Sequence, residues 1–92
     1  MGEIKTITEN GFTLRHWWYY DWMGLQRNSC EISWIREDGM KMIKPLFAPP
    51  RVRIITRGTA IMGDDISPYK DEEYAQMLKE EVTKVTNLTR ER

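Results

Sequence analysis

Residues 4–20 read IKTITENGFTLRHWWYY, and this stretch decides the fold because it predicts a β-hairpin. Asn10 and Gly11 at its centre are the residue types that most readily adopt the positive φ angles of a type I′ turn. On either side of the turn, apolar and polar residues alternate with the period of two that is typical of a half-buried strand. The stretch therefore predicts two antiparallel strands joined by a tight two-residue turn.

Two further turns extend the predicted sheet. Residues 37–39, Glu-Asp-Gly, fit a three-residue hairpin loop with glycine in the left-handed position. Arg57 and Gly58 are predicted to close a third hairpin. The loop lengths predict the residue pairs Ile7 with Leu14, Ile4 with Trp17, Trp34 with Met42, and Ile54 with Ile61.

A helix is predicted after residue 62. Ser67 followed by Pro68 is a helix start, because a hydroxyl caps the first turn and proline is tolerated at the first helical position. The apolar stripe that follows has helical spacing and comprises Tyr74, Met77, Leu78, Val82, Val85 and Leu88. The pattern predicts an α+β fold, in which a small antiparallel sheet of about four or five short strands packs on one C-terminal amphipathic helix.

Length and composition narrow the classes of protein. Ninety-two residues predict a single domain over 1–92, with a β-sheet region at 4–62 and the helix at 67–90. Fourteen basic and fourteen acidic residues give a net charge of zero, which argues against a general nucleic-acid coat and against an acidic DNA mimic. A single cysteine, Cys30, argues against a disulfide-stapled secreted scaffold. With no long apolar run either, we expect a cytoplasmic protein without a membrane partner.

Aromatic residues are the unusual part of the composition, at 11% of the chain. Alternation along the second strand places Trp18, Tyr20 and Trp22 on the same face as Leu14, which we expect to point toward the helix. Trp17 and Tyr19 fall on the opposite, solvated face together with Arg15. Large rings on a solvated face are costly without a partner or a cover. We therefore expect Trp17 and Tyr19 to be the more exposed rings.

Arginines follow the same alternation over residues 51–57, where Arg51, Arg53 and Arg57 point outward. If this strand lies beside the aromatic strand, one face carries the whole predicted binding site, which consists of Trp17, Tyr19, Arg15, Arg51, Arg53 and Arg57. Aromatic rings beside arginine are typical of protein-interface hot spots. They also suit a nucleotide, whose base stacks on the ring while arginine binds the phosphate. The alternative without a ligand is an internal cation–π pair of arginine with Trp17.

Candidate catalytic and metal-binding residues are few. His16, the one histidine, lies in the apolar register of its strand, which indicates a neutral core histidine. Cys30 lies in register with Ile32, which indicates a buried, inert thiol; a His16–Cys30 dyad is the low-ranking enzymatic alternative. Met40 and Met42 near Cys30 would suit Cu(I), but methionine is common as core filler. No phosphate loop or nucleophile elbow is present in the sequence, so we predict no catalytic residue, metal ligand or cofactor.

These patterns together predict a small non-catalytic binding protein, inhibitor- or adaptor-like, of a kind that phages and other mobile elements carry. Its aromatic and arginine face is expected to contact a partner protein or a second copy of the chain, giving a homodimer or higher oligomer. The alternative is a module that binds a nucleotide or a short single-stranded nucleic acid through ring stacking and arginine–phosphate contacts.

Overall fold

A computed structural model describes residues 1–46, 56–57, 60–61, 63 and 66–90, and the side chains of 1–46, 63 and 66–87. In chain order its elements are β1 (Gly2–Glu9), β2 (Phe12–Tyr20), β3 (Gln26–Ile35), β4 (Lys41–Leu46), β5 (Thr56–Arg57), β6 (Ala60–Ile61) and α1 (Asp71–Arg90). The first four strands form one antiparallel sheet in the order β1-β2-β3-β4, and β5 and β6 pair with each other. The predicted α+β class is confirmed.

The first hairpin forms through the predicted turn. Asn10 has a φ of 52° and Gly11 a φ of 82°, the two positive angles that a type I′ turn needs. Ile7 lies opposite Leu14 as predicted. The predicted pairing of Ile4 with Trp17 is wrong, because the register shifts at the start of β1 and brings Glu3 opposite Trp17. An extra residue in one strand of a ladder is a β-bulge, which loop length alone does not reveal.

The second hairpin is also confirmed, and the third has a different register. Gly39 has a φ of 86°, and Trp34 lies opposite Met42. In the third hairpin, Ile61 pairs with Thr56 instead of Ile54. Ile54 itself lies outside the described residues.

The helix begins at Asp71, four residues later than the predicted Ser67. Lys70 occupies the capping position, since its carbonyl accepts the N–H of Tyr74 at 3.2 Å and its own N–H donates to the Glu73 carboxylate at 3.3 Å. Just before the cap, the Tyr69 N–H donates to the Tyr74 hydroxyl at 3.1 Å. The Tyr69 side chain is buried in the core. Residues 66–70, which precede the helix, are accordingly not helical.

The core lies between the sheet and one face of α1. Its buried apolar members are Leu14, Cys30, Ile32, Tyr69, Tyr74 and Leu78. Tyr74 and Leu78 of the predicted apolar stripe are thus part of this core, while Val82 and Val85 are half-buried. Within the ranges that the structure describes, no helix combines the length and the apolar character needed to span a bilayer.

Candidate binding surface

The two faces of β2 are sorted as its alternation predicts. Leu14 and His16 are buried beneath α1, while Arg15 is exposed on the opposite face, called here the outer face. Trp17 and Tyr19 share the outer face, because they follow Arg15 at intervals of two along the strand. Period-two alternation therefore assigned the faces correctly.

Arg15 is engaged within the protein on this outer face. Its guanidinium carbon lies 5.3 Å from the centroid of the Trp17 ring, a cation–π geometry. Its Nη1 also lies 3.9 Å from Oε1 of Glu31 on β3. The internal pair considered as an alternative for Trp17 is thus present, and it covers part of the ring.

The predicted arginine row falls for the most part outside the described residues. Both edges of β2 are occupied, by β1 on one side and β3 on the other, so the assumed pairing of strand 51–57 with β2 is wrong. Arg51 and Arg53 lie outside the described residues. Arg57 belongs to β5, which pairs with β6, and its side chain is not among those described. Of the six predicted site residues, the structure brings Arg15, Trp17 and Tyr19 together.

The expected ranking of aromatic exposure is wrong. Trp22 is 92% exposed and Tyr20 is 60% exposed, whereas Trp17 and Tyr19 are half-buried. Trp18 is also half-buried, with its ring over Gly2 and edge-on to Tyr20 at 5.4 Å between centroids. Alternation gave these rings the same face as Leu14, but none of the three belongs to the hydrophobic core that the described residues form.

A short connection between β2 and β3 displays the most exposed of these side chains. We call Tyr20, Trp22 and Met23 the aromatic loop; Met23 is 63% exposed. The Asp21 carboxylate holds the connection in shape, since it accepts the N–H groups of Met23 at 2.9 Å and Leu25 at 3.0 Å. The loop therefore presents its apolar side chains from a backbone that is already ordered.

A guanidinium and the backbone add to this brace. The Nε of Arg27 donates to the second carboxylate oxygen of Asp21 at 3.2 Å. The Asp21 N–H donates to the Leu25 carbonyl, and the Gly24 N–H donates to the Asp21 carbonyl, each at 2.9 Å. Partial desolvation would raise the pKa of Asp21, but the hydrogen bonds from Leu25, Arg27 and Met23 outweigh it and lower that pKa. Asp21 thus remains a charged acceptor at neutral pH.

His16 is a buried structural residue, as the sequence indicated. The Tyr74 hydroxyl lies 2.7 Å from its Nδ1, and Asn28 Oδ1 lies 3.2 Å from its Nε2. Because the Asn28 oxygen can only accept, Nε2 carries a proton, and Nδ1 of the neutral ring accepts the Tyr74 hydroxyl proton. The hydroxyl oxygen in turn accepts the Tyr69 N–H. This arrangement corresponds to the neutral tautomer that carries its proton on Nε2. The imidazole therefore links β2, β3 and α1.

Cys30 lies directly opposite His16 in the sheet and is also buried. Burial, together with the charges of Glu31 and Glu81, raises the pKa of the Cys30 thiol to about 11 from an ordinary value of 9.0. A thiol with so high a pKa is a poor nucleophile at neutral pH. Among the described side chains, no group of three or more His, Cys, Asp or Glu residues is placed to hold a metal ion.

Comparisons of the chain with protein-family models, with curated proteins and with solved structures found no match. The functional interpretation therefore depends on the residues of this chain.

Proposed function

We propose that this is a small non-catalytic binding protein that contacts a partner protein through the aromatic loop. One observation carries the proposal: Trp22 is 92% exposed on a loop that Asp21 holds in place. An inhibitor or an adaptor acts in this way, by occupying part of another protein's surface. A cytoplasmic location belongs to the proposal, since the single cysteine is buried as a free thiol.

The physical case begins with the cost of displaying an indole to water. Trp and Tyr each bury about 150–250 Å² when they enter a pocket, which makes them the dominant anchors of many interfaces. Tyr20 and Met23 flank Trp22 and enlarge the apolar area that a partner would cover. Because hydrogen bonds already order the loop, it loses less conformational entropy on binding than a disordered loop would.

Charge favours a protein over a phosphate-bearing ligand. Among the described side chains, Arg15 beside Trp17 and Arg27 at the base of the aromatic loop already have carboxylate partners, Glu31 and Asp21. A nucleotide would have to draw a guanidinium away from its carboxylate to bind the phosphate bidentately. An apolar pocket makes no such demand. We therefore propose a partner surface with an apolar pocket that accepts an indole.

The first experiment uses the protein as bait in the cells that express it. Wild type, Trp22→Ala and Ile35→Ala are purified in parallel, and co-purifying proteins are quantified by mass spectrometry. Ile35 is the matched control, since it is 63% exposed but lies at the other end of β3. The partner identified this way is then titrated by calorimetry against all three proteins.

We expect Trp22→Ala to weaken the partner's binding by about 30-fold or more and Ile35→Ala to change it by less than about threefold. The free energy of unfolding of both variants should lie within about 0.5 kcal/mol of the wild-type value, because each changes an exposed side chain. Equal binding by wild type and Trp22→Ala would refute the assignment. Binding of ATP or an oligonucleotide that weakens with salt and with Arg15→Ala would favour the nucleotide alternative instead.

A further inference from the structure

The free edge of β1 offers a second binding surface, separate from the aromatic loop. In the part of the chain that the structure describes, β1 is paired with β2 alone, so its other side is a sheet edge. The opposite edge of the sheet, β4, has six residues and contains Pro45, which cannot donate a ladder hydrogen bond. Eight-residue β1 contains no proline. An edge of this kind is a template for another strand.

The turn geometry determines which groups of β1 face outward. In a two-residue hairpin the residues next to the turn, Glu9 and Phe12, form a hydrogen-bonded pair, and bonded and non-bonded pairs then alternate. Ile7 and Lys5 therefore bond to β2. The backbone N–H and C=O groups of Thr6 and Thr8 point away from β2, toward the free edge.

The geometry points to a second copy of this chain as the strand that pairs there. Two antiparallel copies of β1 can meet with Ile7 on the twofold axis, so that Thr6 of each copy lies opposite Thr8 of the other. Both residues carry outward backbone groups, which is the requirement for a hydrogen-bonded pair. We propose that the protein forms a homodimer through this pairing, which continues the four-stranded sheet into one of eight strands.

Charge complementarity selects this register. With Ile7 on the axis, Lys5 of each copy lies opposite Glu9 of the other, which gives two opposite-charge cross-strand pairs. With Thr6 on the axis, Glu3 would instead lie opposite Glu9, and the bulge near Glu3 would enter the ladder. Lys5 also contacts Asp71 at 3.1 Å, but that carboxylate is 84% exposed, so the contact is a weak surface pair.

The surface beside this edge is also suited to being covered. Ile7 is half-buried against the core, and a second Ile7 next to it would complete its burial. A groove between α1 and the first turn lies at the same edge and is lined in part by Ala75, Leu78 and Val82. The net charge of zero means that no long-range repulsion opposes association. A short strand pairing of this kind predicts dissociation in the micromolar range.

The test is a pair of charge reversals that are complementary to each other. Lys5→Glu places two glutamates opposite each other in both cross-strand pairs, and Glu9→Lys places two lysines there. In an equimolar mixture of the two variants, every pair is again opposite in charge. Lys41→Glu on β4 is the matched control, because it makes the same charge change at the other edge of the sheet. Sedimentation equilibrium through the micromolar range measures each dissociation constant.

We expect wild type and Lys41→Glu to dimerise with the same dissociation constant, and each β1 reversal alone to weaken the dimer by about tenfold or more. The mixture should return to within about threefold of wild type. If a reversal impairs folding by circular dichroism, Thr8→Pro replaces it, since proline removes an outward N–H that β2 does not use. A monomeric wild type, insensitivity to the β1 variants, or a mixture that fails to recover would each overturn the proposal.

Discussion

The two halves of β2 differ although one strand and one alternation run through both. In residues 12–16, Leu14 and His16 are 0% and 1% exposed beneath α1. In residues 17–20, Tyr20 occupies the same side of the strand and is 60% exposed. The comparison shows that the pleat of a strand decides the face of a side chain, whereas a second element decides whether that face is covered.

The covered half and the uncovered half therefore have different tasks. Leu14 and His16 join the sheet to α1 through apolar packing and through the hydrogen bond to Tyr74. Trp22, just beyond the strand, makes no comparable contribution to the core. Mutations in the contacts of the covered half should change the free energy of unfolding, while those at the uncovered end should change binding.

The largest expected effect comes from the helix residue that packs on the covered half. Leu78→Ala should lower the free energy of unfolding by about 2–5 kcal/mol, because the side chain is buried and its loss leaves a cavity. Against a typical total of about 5–15 kcal/mol, this change is large. Urea denaturation followed by circular dichroism measures it. Ile43→Ala, at an exposed β4 position, is the control and should change stability by less than about 0.5 kcal/mol. Equal effects at both positions would contradict the comparison.

A smaller loss is expected when the polar link across the covered half is cut. Tyr74→Phe keeps the buried ring but removes the hydroxyl that bonds both His16 Nδ1 and the Tyr69 N–H. We expect a loss of about 1–3 kcal/mol in the free energy of unfolding. Tyr20→Phe is the control: it removes a tyrosine hydroxyl at the uncovered end and should leave the free energy of unfolding nearly unchanged.

Nitrogen chemical shifts of the His16 imidazole give a second measure of the same link. In wild type they should report a proton on Nε2, and in Tyr74→Phe the tautomer should become mixed. A stability change without any change at the imidazole would indicate that packing, and not the hydrogen bond, is the source of the loss.

The smallest expected effect is the pH dependence that Cys30 adds. Its pKa in the folded protein, about 11, is above its ordinary value of 9.0, so folding favours the neutral thiol. The stability from this group is complete below pH 9 and is lost as the pH rises from 9 toward 11. Wild type should therefore lose more stability than Cys30→Ala over that interval, measured by urea denaturation at each pH. Parallel curves for the two proteins would show that the thiol titrates normally.

Local chemistry predicted much of the sheet. The turn at Asn10 and Gly11 and the loop ending at Gly39 formed as predicted, because few residue types tolerate a positive φ. The bulge near Glu3 was not predicted, since an extra residue in a ladder depends on how both strands pack. The predicted helix start at Ser67 was four residues too early: Tyr69 is buried with its N–H bonded to the Tyr74 hydroxyl, and the helix begins at Asp71.

The sequence by itself determined the α+β class, the first two hairpins, the two faces of β2 and the buried place of His16. These follow from φ preferences and from the period of two, which are properties of neighbouring residues. Only the tertiary structure decided that β2 lies between β1 and β3, and that Trp22 is exposed while Trp17 is partly covered by Arg15. The order of the strands and the burial of each side chain depend on contacts between residues that are distant in the chain, and periodicity does not encode these contacts.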